Sequence, residues 1–297
     1  MNARVSQGEA VAVWVLLAAD ALAVLIVYSV LEAGDLYNVS GSGPEGGLSR
    51  ALVQLNFPIA LAAIPLTLLA LSSLPRRAWL AGGPAIALCA VVAWPGVVDP
   101  DDLDARIVNV LPAAGVALAA ILTVLATRRA GAGFAPALAG DRLRIAVAAV
   151  TLLVSLPWIA AEAGTYLPGG VFLTDEPYAE PGRPPAAAVH LGHHHGFTGT
   201  LLVLAALLLS RPRLAGARLR LAYAALVSLM LAYGIANVAN DAWHEQVVKR
   251  NWTSWDIPSA LEPRPNLIWL VVLSGAGVFL ALGLARHGRA ATRDNPA

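Results

Sequence analysis

Charge is scarce in this sequence, and so are cysteine and lysine. Of 297 residues, 13% are Asp, Glu, Lys or Arg, where a soluble domain carries roughly 25%. Cys89 is the only cysteine. One thiol excludes an intramolecular disulfide and Cys-rich zinc or iron–sulfur ligation by a single chain. Lys249 stands alone against 19 arginines, a bias that reads as genome composition. The formal net charge of +1 provides no overall field for nucleic acid or an acidic partner. The first apolar run lacks the short core and small-residue cleavage site of a secretory signal. It reads as a membrane span. No internal repeat is evident, so a repeat-built transporter is not supported, and no segment is polar enough to form a separate soluble domain.

What the chain has in abundance is apolar sequence, 58% of all residues, gathered into runs of about 20, the length that crosses a bilayer. The runs predict an all-α, polytopic membrane protein: one helical bundle over residues 1–297, with eight transmembrane helices near 11–31, 52–74, 79–98, 108–126, 143–161, 190–209, 219–240 and 267–286. Gly82, Gly83, Pro84 and Pro95 interrupt the third. Alternate loops differ in charge. One set has 14 basic and three acidic residues, among them Arg4, Arg76, Arg77, Arg128, Arg129, Arg142, Arg144, Arg211, Arg213, Arg218, Arg220, Arg286, Arg289 and Arg293. The other has six basic and 15 acidic residues, including Asp99, Asp101, Asp102 and Asp104. The positive-inside rule then puts both termini in the cytoplasm, the chain in the cell membrane with the bilayer as its partner, and the acidic loops outside.

The sharpest motif is His190-Leu-Gly-His193-His194-His195-Gly196, at the outer start of the sixth span. On a helix, steps of 100° would put His190, His193 and His194 on one arc and turn His195 away. The seventh span ends in Asn237, Asn240, Asp241, His244 and Glu245, spaced by threes and fours so that most share a face. Counting 1.5 Å per residue brings Glu162, Asn56 and Asn109 to a similar depth. The expectation is a transition-metal site at the extracytoplasmic face. Its ligands would come from His190, His193, His194, His244, Asp241 and Glu162, with Asn237 and Asn240 fixing the imidazole tautomers. Such ligands suit zinc, copper or iron. Glu162 or Glu245 would serve as a catalytic base.

Residues 190–194 read HxxHH, which is similar to one histidine box of the membrane di-iron desaturases and hydroxylases. Those enzymes need several boxes and face them to the cytoplasm, so membership is not assigned. Haem A synthases also have eight spans, but they spread histidines over several helices, whereas spans one to four here contain none. Four functions remain: a membrane metalloenzyme, a metal-handling protein, a b-type haem electron carrier, and a structural or assembly subunit. The nearly all-Ala, Leu and Val inner halves of spans five to eight weaken the transporter form of metal handling.

Other features have plainer readings. Asp20, within span one, is either a proton or ion relay or a packing residue. It has no expected charged partner at mid-membrane. Residues 40–47 read as a flexible Gly/Ser loop. Trp94, Trp158, Trp243, Trp252 and Trp255 read as interface anchors. Asn38-Val-Ser40 and Asn251-Trp-Thr253 match glycosylation sequons, and His287 reads as interfacial.

Overall fold

The computed structural model describes residues 5–99, 102–179, 185–261 and 265–293, with side chains as far as 283. Arg4, Asp101 and Asp294 therefore lie outside the described residues. So do the side chains of Arg286, His287, Arg289 and Arg293.

The chain is mostly helical. α1 spans Gly8–Val30, α2 Gly43–Gln54, α3 Ala60–Ser73, α4 Trp79–Ala90 and α5 Val110–Ala130. α6 spans Asp141–Val154, α7 Leu156–Glu162, α8 His195–Leu209, α9 Ala217–Trp243 and α10 Leu267–Arg293. A two-residue hairpin pairs β1 (Pro177–Tyr178) with β2 (Ala186–Ala187). Among the described residues, four stretches are long and apolar enough to cross a membrane: Gly8–Val30, Gly43–Ser73, Ile107–Ala130 and Ala217–Val248. The pair α6 and α7, bent by 63°, makes a fifth if taken as one span. α8 and Leu267–Gly283 are shorter apolar helices.

The bundle's outer surface is apolar. Val15, Leu22, Ile26 and Val30 on α1, Ile145, Val150 and Leu153 on α6, and Leu270, Val271 and Leu273 on α10 are all more than half exposed. A soluble monomer seldom shows apolar faces of that extent, and a lipid-facing bundle requires them. The polar side chains turn inward instead. Asp20, Arg50, Gln54, Asn56, Glu162, Asn237 and Asp241 are all buried.

Local chemistry explains the breaks. Pro58 has no N–H to donate and disfavours helical geometry at the residue before it. Phe57 is accordingly extended (φ −148°, ψ 121°), and α2 and α3 are separate pieces of one broken rod. Asn56 bridges the break, donating to the Leu52 and Asn109 carbonyls at 2.9 and 3.0 Å. Asn109 returns a bond to the Asn56 side chain at 2.9 Å. These two asparagines thus repair backbone, as interrupted helices in lipid demand, and form no part of the histidine layer. Residues 43–47, expected as a flexible loop, form the first turn of α2. A Cβ on Gly47 would collide with the Ser29 hydroxyl, so glycine is what lets α2 lie against α1.

α8 packs on α9, α9 on α10, and α3, α4 and α5 on one another, while α1 joins α2 to α8. At one end of the bundle, Arg211 pairs with buried Glu9 at 3.1 Å and with Asp141 at 2.9 Å. Gln7 N–H donates there to Gly131 at 3.0 Å. The opposite end holds the histidines and is covered by the segment between α7 and α8.

Candidate metal centre

The histidine run is not a helical face. Gly192 has φ +93°, and His194 is extended (φ −121°, ψ 151°) at the N-cap of α8, which begins only at His195. His190, His193 and His194 therefore project from a folded loop in different directions. The expected shared arc fails because glycine in the left-handed region ends any helical register there. Tyr28 explains why glycine occupies position 192, since a Cβ there would run into its hydroxyl. That hydroxyl accepts the His193 backbone N–H at 3.0 Å.

The ligand candidates separate into two buried groups, each with its ligand atoms within 4.8 Å of one another: Asp20, Glu162 and His193, and His194, Asp241 and Glu245. In the first, His193 Nδ1 lies 2.8 Å from Glu162 Oε2 and Nε2 lies 2.6 Å from the Thr198 hydroxyl. Gln54 donates to Asp20 Oδ2 at 2.8 Å. Asp20 Oδ1, Glu162 Oε1 and Gln54 Oε1 are buried without a partner. The charge of Arg50 reaches both carboxylates. Asp20 was expected to lack a charged neighbour. It gains Glu162 and His193, because the bend between α6 and α7 swings Glu162 inward and the histidine loop follows, and Arg50 from α2. Ten residues separate Asp20 from the end of α1, about 15 Å of helix, so this site reaches well into the bundle.

The second group sits where α9 widens. Beyond Trp243 the helix runs through one loose turn, His244–Val248, closed by a bond from Lys249 N–H to the His244 carbonyl at 3.0 Å. Asp241 and Glu245, four residues apart, present their carboxylates to His194. His194 Nε2 lies 2.8 Å from the His190 carbonyl, to which it can only donate. Its Nδ1 then faces Glu245 Oε1 at 3.2 Å. Glu245 Oε2 accepts the indole N–H of Trp158, and Asp241 Oδ2 accepts the Gly196 backbone N–H. Asp241 thereby caps α8, where helix N-terminal N–H groups favour an anion. Trp158, expected at the interface, is fully buried; its N–H finds its acceptor in Glu245 rather than in water.

Other expected residues lie elsewhere. His190 stacks on His194 at 3.8 Å and on Tyr37 at 4.4 Å, with Nδ1 3.0 Å from the Leu191 carbonyl. His244 faces Asp256 at 3.6 Å. Neither belongs to a metal-ligating group among the described residues. Asn237 and Asn240 touch no imidazole: Asn237 donates to the Tyr233 carbonyl at 2.8 Å and Asn240 to the Ile257 carbonyl at 3.3 Å. The imidazoles are oriented by the His190 and Leu191 carbonyls and by Thr198. Trp243 donates to the Trp255 carbonyl at 2.8 Å, while Trp252, Trp255 and Trp94 are exposed. Asn38 and Asn251 are left-handed turn residues, a conformation asparagine tolerates.

The covering segment is pinned onto the loose turn. Gln246 exchanges two bonds with the Leu173 backbone, at 2.9 and 3.0 Å, and Lys249 donates to Ala188 at 2.7 Å. Beside the second group lies a cavity of about 760 Å³, in the range of small-molecule sites. His194, Asp241 and Glu245 line it, as do His195 and Arg50. His195 was expected to point away, and Arg50 was not among the expected site residues. The four-residue spacing of Arg50 and Gln54, one face of a helix, was the available signal for the latter.

No family model, curated protein or solved structure matches the chain.

Proposed function

We propose that this chain is a membrane metalloenzyme whose transition-metal ion is held by His194, Asp241 and Glu245 beside the cavity. One observation carries the proposal. With Nε2–H committed to the His190 carbonyl, His194 turns a lone pair toward the Glu245 carboxylate at 3.2 Å. Two lone pairs approach that closely only with a cation between them, a proton or a metal ion. Two buried carboxylates beside one imidazole favour the divalent ion, since a single proton leaves net negative charge in a low-dielectric site. The surrounding bonds fit as well. Imidazole N–H to carbonyl, indole N–H to Glu245 and backbone N–H to Asp241 are the supporting contacts that ligating side chains use. Three protein ligands leave an open position, where a bound ion can lower the pKa of water or polarise a substrate oxygen.

The ligand set suits zinc, iron or copper. Haem b is less well supported: it would take one axial histidine from each of the sixth and seventh spans, and His244, at the end of the seventh, faces Asp256 at 3.6 Å. In this reading Asp20, Glu162 and His193 form a buried polar group held by bonds from Gln54 to Asp20 and from His193 to Glu162 and Thr198. The rest of the proposal is topological: eight spans in the cell membrane, both termini cytoplasmic and the histidine end outside. The gathering of arginine-rich turns at the opposite end supports it.

The test is metal content by mass spectrometry on tag-free purified protein, with His194→Ala, Glu245→Gln and Asp20→Asn. Near-stoichiometric metal in the wild type and Asp20→Asn, lost in the other two, is the expected result. No metal in the wild type after growth with each of zinc, iron and copper overturns the proposal and leaves a protonated His194 ion pair. Metal lost only in Asp20→Asn moves the centre to the other group.

A further inference from the structure

The cavity has two ends of opposite character. Leu61, Ile64, Leu226, Leu229, Met230 and Trp269, from α3, α9 and α10, line one. Arg50, Lys249 and the histidines line the other, together with Asp241 and Glu245, whose carboxylates turn to His194. Arg50 is 2% exposed. Its Nε and Nη1 are buried and meet no hydrogen-bond acceptor, although the guanidinium lies 5.5 Å above the Tyr28 ring. His195, on the same wall, also leaves Nδ1 buried and unpartnered. Buried arginine is normally paired, because a charge taken out of water must recover its lost hydration. A guanidinium and an imidazole on one cavity wall, each with unpartnered nitrogens, imply that a partner enters with a ligand.

We propose that the cavity binds an oxyanion-headed amphiphile, a phosphate or carboxylate on a single apolar chain, with its head on Arg50 and His195 and its chain along α3, α9 and α10. The planar guanidinium fork matches either oxyanion through two parallel bonds. The apolar wall would be left wet by a free ion and is covered by a chain. Lys249 adds positive charge at the same end, which favours the same sign of ligand. The inference rests on the metalloenzyme reading for what happens to the ligand, but not for its binding.

The test is calorimetric titration of the protein in nanodiscs of digalactosyldiacylglycerol, a lipid without anionic groups, with empty nanodiscs as baseline. The probes are dodecyl phosphate, dodecanoate, dodecanol and inorganic phosphate, and metal content is read on the same samples. At least one of the two amphiphilic anions should bind. Arg50→Gln should weaken it by about tenfold or more, the loss of a charge-assisted hydrogen bond, with metal content unchanged, and Arg50→Lys should recover part of it. Leu229→Trp, which fills the apolar end without touching the head site, should weaken it independently. Dodecanol binding as tightly as both anions, unchanged binding in Arg50→Gln, or inorganic phosphate binding as tightly as dodecyl phosphate each overturns the inference. Binding without metal sinks only the metal reading. Metal without binding sinks only this one.

Discussion

Trp158 and Gly192 show how single residues set the site. Trp158 is fully buried and donates its N–H to Glu245, so it aims one carboxylate oxygen and leaves the other for His194. Trp158→Phe keeps most of the packing and removes that bond. If the centre holds metal, affinity should fall about tenfold to a hundredfold, the usual effect of losing a bond to a ligand, in a competitive chelator titration. Gly192→Ala should be worse for the fold. It combines a left-handed φ of +93° with a Cβ driven onto the Tyr28 hydroxyl. A loss of about 1–3 kcal/mol is expected as a lowered thermal midpoint in detergent, and Tyr28→Phe should restore little of it because the strained φ remains. Asp20 gives the residue-scale lesson about legibility. Its place inside an apolar run was plain in the sequence. Its partners were not, because Glu162 and His193 reach it only through a bend and a loop.

At the scale of elements, the closest helix contact near the site is between α8 and α9. A Cβ on Gly199 would lie 2.5 Å from the Gly234 carbonyl, and one on Gly234 would lie 2.8 Å from the Gly199 carbonyl. Small residues at such crossings let backbones meet in lipid, where van der Waals packing drives association. Gly234→Val should force α8 and α9 apart, cost about 1–3 kcal/mol and draw His194 away from Asp241 and Glu245. The check is thermal stability together with metal content, and unchanged values for both would show that the contact is slack. The bends belong to this scale too. Pro58 and Pro157 were visible in the sequence, yet the 63° between α6 and α7 is set by what the two pieces pack against. Depth counting along straight rods therefore put Glu162 level with the histidines but gave Asp20 no partner there. The histidine run failed as a helix because a single glycine outweighed four residues with no helix-breaking character of their own.

For the whole molecule, the arginine-rich turns lie together at one end and the histidines at the other. Reporter fusions after Ala137 and after Asp102 should therefore report opposite sides, the first cytoplasmic. The same side for both would overturn the eight-span topology. The sequence by itself determined the helical class, the apolar exterior, the loop charge asymmetry and the choice of the segment from His190 to His195 as a candidate site. These follow from composition and local pattern, since a run of apolar residues of membrane length has few other ways to satisfy its backbone. Only the tertiary structure decided which polar groups meet: that the ligand candidates form two groups and not one, that His190, His244, Asn237 and Asn240 stand apart from both, and that Arg50, His195 and Trp158 belong to the site. Those contacts join residues up to 173 positions apart, as between Asp20 and His193. Burial leaves such groups no water to turn to, so each must find its partner across the bundle, and helix packing alone fixes which one.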